Sequence, residues 1–156
     1  MEGSGMTVIV WDGTTLAADR RAGDAWMKCG TVVKIARVNG HLVGCAGVAA
    51  DAREVVAWYS AGANPALYPA GIRGKENGGA KMLVITPAGV VRIYDNSPFP
   101  IEYCEAPHGI GRRMAIGSGR EAAMAAMLAG CGARRAVEIA TLICDGVGNG
   151  IDTLEL

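Results

Sequence analysis

Thr7-Val8-Ile9-Val10-Trp11-Asp12-Gly13-Thr14-Thr15-Leu16-Ala17-Ala18-Asp19 is the stretch on which the fold turns. A β-branched run enters Asp-Gly and a second apolar run returns from it, the strongest short-range hairpin signal a sequence carries. The pattern recurs at once. Thr31 to Val38 runs into Asn39-Gly40, and His41-Leu42-Val43-Gly44-Cys45-Ala46-Gly47 comes back. Arg20 to Gly30 reads as the loop between two hairpins.

From Val48 the apolar period changes from two to that of a helix, with Ala52, Val55, Val56 and Tyr59 on one face and Gly62 and Pro65 ending it. Residues 61–80, rich in glycine and with two prolines, read as a long surface loop. A third hairpin is expected over Met82 to Thr86 and Val90 to Tyr94, around Pro87-Ala88-Gly89. Ile101 to Cys104 and Met114 to Gly117 read as further short strands. Ser118, with Glu121 three residues on, forms a capping-box pattern for a helix from Arg120 to about Leu128, ending at Gly130. A last helix, Ala133 to Cys144, is apolar nearly all round, which predicts burial between layers. A glycine-rich turn at Asp145 to Gly150 leads to a closing strand, Thr153 to Leu156. Hairpins grouped together, with helices grouped between them, predict an α+β layered domain.

Composition narrows the function. The 156 residues suffice for one domain with a proper core, and 51% apolar content excludes disorder. Fifteen basic against fifteen acidic side chains leave no electrostatic case for nucleic acid or an anionic membrane as partner. No apolar run reaches the length of a membrane span and no signal-peptide pattern opens the chain, so a cytosolic protein is expected. The five cysteines, Cys29, Cys45, Cys104, Cys131 and Cys144, show no paired spacing, and only His41 and His108 could join them. No metal site and no cofactor are expected.

Taken singly, the polar candidates are few. Asp19 ends a strand. Lys34 interrupts an apolar one, and either points outward on a polar face or faces an interior carboxylate, for which Asp19 is the available partner. Ser118 is accounted for by its helix-capping role, and Asp145 by a helix exit. Gly117-Ser118-Gly119 lacks the lysine of a phosphate loop.

Their order along the chain is more informative. Leu16-Ala17-Ala18-Asp19, Val33-Lys34-Ile35 with Gly44-Cys45-Ala46-Gly47, Ala115-Ile116-Gly117-Ser118-Gly119 and the final Asp152-Thr153-Leu154-Glu155-Leu156 together resemble the proteasome β-subunit family, most closely its HslV-type branch. The resemblance spans residues 7–156 as a single domain and implies an N-terminal nucleophile hydrolase, a four-layer αββα sandwich. By position it makes Thr7 the nucleophile, Lys34 the neighbouring cation, Asp19 its partner, and Ser118 and Asp145 a supporting pair near the amine. A backbone N–H of Gly47 would serve the oxyanion, and substrate would lie along Ala18, Arg20 and Arg21 on one side and Cys45 and Ala46 on the other. The chemistry implied has a clear basis. A threonine hydroxyl needs an adjacent base, and a free α-amine, titrating at about 7.7–8.0, can be that base.

Met1 to Met6 precede Thr7 and read as a leader or added segment, with Met6-Thr7 as the start whose processing would free the nucleophile. The first hairpin is a few residues shorter than the family keeps. Counting back by the family's spacing makes Ser4 the alternative nucleophile, and Gly148 stands where that family often carries serine. The resemblance further implies peptide or unfolded-protein substrates, a homo-oligomeric ring and an ATP-dependent unfoldase as partner. Two other functions fit the same fold: a catalytically silent, ring-forming subunit, and an amidohydrolase acting on a small amide.

Overall fold

The computed structural model describes residues 7–22, 30–103 and 112–156. Cys29, Cys104 and His108, most of the loop expected between the first two hairpins, and the residues before Thr7 (Ser4 among them) lie outside these. The elements run β1 (Ile9–Trp11), β2 (Thr15–Asp19), β3 (Ile35–Val38), β4 (His41–Gly47), α1 (Ala49–Ser60), β5 (Ala80–Ile85), β6 (Val91–Asp95), β7 (Ile101–Tyr103), β8 (Met114–Ile116), α2 (Arg120–Leu128), α3 (Ala133–Ile143) and β9 (Ile151–Glu155). They form two antiparallel sheets, one ordered β8-β1-β2-β9 and the other β3-β4-β5-β6-β7.

Strand β1 shows why the sheets stack. Its side chains alternate between faces, as any strand's must, and here both faces are buried. Ile9 and Trp11 join Leu16 and Ala18 against Leu42, Ala46, Leu83 and Ile85 of the second sheet. Val8 and Val10 turn the other way, onto the alanine-rich faces of α2 and α3, where Ala123, Ala126, Ala136 and Ala140 pack. On the far side of the second sheet, Val43, Met82 and Tyr94 meet Val55, Trp58 and Tyr59 of α1. The order is helices, sheet, sheet, helix: the expected four-layer αββα sandwich.

Small residues set the layer spacing. A methyl added at Gly44 would stand 2.7 Å from Ile9 of the facing sheet, and one at Gly119 would stand 2.9 Å from Val8. The Asn39-Gly40 turn has both central residues at positive φ, 51° and 79°, which the two-residue hairpin requires.

Several sequence expectations are corrected. The strand expected from Thr31 begins only at Ile35, because Val32 donates its N–H to the Arg20 carbonyl and draws the chain away from the sheet. Loop 61–80 is anchored rather than superficial, since Tyr68 and Ile72 are buried beneath α1. Helix α3 buries one face only. Ala133, Ala136, Val137 and Ala140 pack inward, while Leu142 is 78% exposed and Ile143 68%. Its apolar count was high, but the helical phase sends the last two outward. The N-cap of α2 is Gly119, with no side-chain cap, so Ser118 does not cap that helix.

Asp12 ties the layers together. Its Oδ1 accepts the N–H groups of Thr14 and Thr15, both at 2.8 Å, and its Oδ2 accepts the Ala133 N–H, also at 2.8 Å. A carboxylate from the hairpin turn thereby caps the start of α3, whose own N-cap, Gly132, has no side chain to do so. Asp12→Ala is expected to destabilise the fold by about 1–3 kcal/mol. In urea denaturation the midpoint should fall while the slope stays unchanged.

Candidate active site

The site lies where the open ends of three antiparallel pairings meet. The register of β1 with β8, Ile9↔Ile116, carried on by two residues, sets Thr7 opposite Ser118. The register of β1 with β2, Ile9↔Ala18, carried on by one, sets Val8 opposite Asp19. Lys34 arrives from the open end of the β3–β4 hairpin, its carbonyl accepting the Cys45 N–H.

Four of the five expected catalytic side chains come together here. Lys34 Nζ donates to Thr7 Oγ1 at 3.0 Å and to Asp19 Oδ1 at 2.8 Å. The Lys34 side chain is 7% exposed and that of Asp19 fully buried, so Lys34 faces the interior carboxylate rather than solvent. Ser118 Oγ accepts the Thr7 N–H at 3.2 Å and lies 3.4 Å from the Thr7 carbonyl oxygen, to which its hydroxyl can donate. The Gly119 N–H also donates to that carbonyl.

Asp19 is the best-satisfied group in the site. Besides Lys34, its Oδ1 accepts the Val8 N–H at 3.0 Å, and its Oδ2 accepts the N–H groups of Arg21 and Gly148, both at 3.2 Å. Burying a carboxylate without such partners would cost several kcal/mol of desolvation, on the order of 2–7 kcal/mol even for an uncharged polar group. Burial is the largest influence on Lys34 and pushes its pKa below the ordinary lysine value of 10.5. The hydrogen bond and charge of Asp19 oppose that shift, and the charge of Arg21 adds to it.

The fifth, Asp145, stands apart. It sits exposed on the turn after α3, and among the described residues no hydrogen bond joins its carboxylate to Thr7 or Ser118. Its carbonyl instead accepts from the Arg21 guanidinium. The Gly148 N–H, reaching Asp19 from the same turn, was missed by sequence reasoning, because a backbone donor leaves no residue-type signal.

An open cleft of about 420 Å³ adjoins Ser118, with Ala46, Gly47 and Val48 on one wall and Gly117, Ser118 and Arg120 on another. Residues 76–81 with Asp95 and Asn96 complete it. Asn96, also missed, shapes that wall: its Oδ1 accepts the Ala80 N–H at 2.7 Å, and its Nδ2 donates to the Lys75 and Gly78 carbonyls. Of the expected substrate contacts, Ala18 points into the core between the sheets, so only its backbone can serve. Arg20 forks onto Asp152 of β9, at 2.9 and 2.5 Å. The Cys45 side chain turns away toward α1, where burial pushes its thiol up to about 12, leaving a protonated and unreactive group. Among the described residues, no group of three His, Cys, Asp or Glu side chains could hold a metal ion.

Gly117 allows Thr7 its place. A Cβ there would stand 2.0 Å from the Thr7 carbonyl oxygen, and φ is +95°. Gly117→Ala is expected to cost about 1–3 kcal/mol in urea denaturation, and its crystal structure should show Thr7 shifted off Ser118 and Lys34.

No protein-family model matches the chain, and no curated protein does. Solved structures match closely in shape. HslV from Trypanosoma brucei aligns at 23% identity over 96% of this chain and 99% of its own, with a TM-score of 0.65. Thiobacillus denitrificans BPH in complex with epoxomicin aligns at 21% identity over 96% and 97%, with a TM-score of 0.66, and another BPH structure at 21% over 96% of each, with 0.64. The chain thus shares the four-layer fold of HslV and of the proteasome-like BPH.

Proposed function

We propose that the protein is a threonine-type peptidase with Thr7 as its nucleophile, working as a homo-oligomeric ring on peptide or unfolded-protein substrates that an ATP-dependent unfoldase delivers. The observation that carries this reading is the single ammonium of Lys34 shared between Thr7 Oγ1 and Asp19, with Ser118 on the Thr7 nitrogen. A structural subunit has no use for a buried cation aimed at a hydroxyl. The short hairpin is no obstacle, because residues lost at its turn leave the pairing at its open end unchanged.

Hydrolysis of the Met6–Thr7 bond frees the amine, which Ser118 then holds. The neutral amine takes the proton from Thr7 Oγ1 as that oxygen attacks the scissile carbonyl carbon. The Lys34 ammonium stabilises the developing alkoxide, and the Gly47 N–H receives the oxyanion. The amine returns its proton to the departing amine of the substrate, leaving an ester on Thr7. Water, activated by the same amine, hydrolyses that ester. An extended peptide suits the open cleft, pairing through backbone groups along Ala18 to Arg21 and Cys45 to Gly47.

Epoxomicin, which the BPH structure carries, is the probe for this reading. Intact-mass analysis of natively expressed protein should find Thr7 at the N-terminus and a covalent adduct there after treatment. Thr7→Ala should remove the adduct and lower peptide hydrolysis by at least about three orders of magnitude. A retained leader, no adduct and no hydrolysis would instead identify a silent subunit. Turnover of small amides without peptides would identify an amidohydrolase.

The rate should trace a bell against pH. The amine must be neutral, and the nearby Lys34 charge disfavours its protonation, so the rising limb should lie below about 7.7–8.0. Lys34 must be charged, and its pKa is lowered, so the falling limb should lie below 10.5. Plots of kcat/KM from pH 5 to 11 check both limbs.

A further inference from the structure

Arg21 lies on the expected substrate path, yet its contacts lead elsewhere. Its guanidinium donates to the Asp145 carbonyl, across 124 residues of sequence. Its own N–H donates to Asp19 Oδ2. The turn that it grips, residues 144–150, supplies another donor to the same oxygen, the Gly148 N–H, while the Gly148 carbonyl accepts the N–H of Arg20. The turn lies outside regular structure, between the end of α3 at Ile143 and the start of β9 at Ile151; Val147 seats its middle in the core beside α2 and α3, and Asn149 Nδ2 donates to the Gly30 carbonyl. Its Gly-Asn-Gly run, with φ of 157°, 62° and 101°, has little stiffness of its own.

We propose that Arg21 is a positioning residue: by clamping the Asp145 carbonyl it holds the 144–150 turn against Asp19 and so fixes the carboxylate that aims Lys34 at Thr7. Without the clamp, the glycine-rich part of the turn after Val147 loosens and Asp19 Oδ2 loses one of its two donors. Asp19 can then rotate, and Lys34 follows it. The guanidinium also acts at a distance. Among the described residues, the charges that act on Lys34 include Asp19 at the end of β2 and Arg21 beyond it, and the Thr7 hydroxyl is a neutral partner on the β1 side. Of the other charges nearby, Arg20 and Asp152 neutralise each other. Arg21 therefore adds to the lowering that burial imposes on Lys34, against the pull of Asp19.

The catalytic consequence rests on Thr7 being the nucleophile, but the clamp itself does not, and the test separates the two. In Arg21→Gln, Lys34 labelled at Cε should titrate by NMR at higher pH than in the parent, and hydrogen exchange at the Gly148 amide should speed at least about tenfold. Arg21→Lys, which keeps the charge but not the planar fork, should restore the Lys34 titration and only part of the Gly148 protection. If the protein hydrolyses peptides, Arg21→Gln should lower kcat about 10- to 100-fold with KM within about twofold. A folded Arg21→Gln with unchanged Lys34 titration and unchanged Gly148 exchange overturns the proposal, whether or not the protein is a peptidase. Should Arg21→Gln fail to fold, Arg21→Lys decides alone, and unaltered Gly148 exchange in it counts against the clamp. A Gly148 effect in a protein that forms no Thr7 adduct would leave the clamp standing and sink the peptidase reading.

Discussion

A buried ion pair stabilises a protein weakly at best, because the cost of removing both charges from water nearly cancels their attraction. The pair between Lys34 and Asp19 belongs to this class, and its surroundings show what it is for. Asp19 is saturated by backbone N–H groups from three separate segments, at Val8, Arg21 and Gly148, so the carboxylate is fixed before the lysine meets it. The lysine is then fixed by the carboxylate, and the threonine hydroxyl by the lysine. Each link removes a rotational freedom from the next. A carboxylate with fewer partners would hold the lysine as well in energy and far less well in direction.

The layers serve this chain of contacts. Thr7, Lys34 and Ser118 each lie just past the end of a paired strand, where the adjoining ladder sets the direction of the backbone and a side chain is no longer committed to the core. Three pairings must converge for them to meet, and convergence needs the sheets and helices close together. That need explains Gly44 and Gly119, where an added methyl would collide with Ile9 of the facing sheet and with Val8 beneath the start of α2. It explains as well the alanines of α2 and α3, whose methyl groups fill the narrow space beside Val8 and Val10.

Legibility in the sequence followed locality. The hairpins could be read because Asp12-Gly13 and Asn39-Gly40 encode their turns within two residues, and the helices because their apolar faces recur at short spacing. Asp19 and Lys34 stood out as charges in apolar strands, although only the fold shows that they meet. Ser118 was misassigned for an instructive reason. The Ser-x-x-Glu pattern is a true capping signal, but here Gly119 takes the cap, and the hydroxyl serves a partner 111 residues away in sequence. Helix α3 was misjudged because its apolar residues were counted without their phase. Gly148 is legible only as a departure from the family's serine and its contact with Asp19 is not, because it acts through its backbone N–H; Asn96 acts through loop contacts that no period or motif announces.

The carboxylate of Asp12 has a consequence for how this protein can vary. The β1–β2 hairpin is fastened at both ends, to the site at one and to the start of α3 at the other. Each residue pair added to it would carry the turn about 3.3 Å further out and leave the helix behind. The hairpin therefore acts as a ruler for the outer layer, and its length is locked to the point at which α3 begins. A longer relative must either start that helix elsewhere or cap it from another residue, so hairpin length and helix origin should drift together among proteins of this architecture.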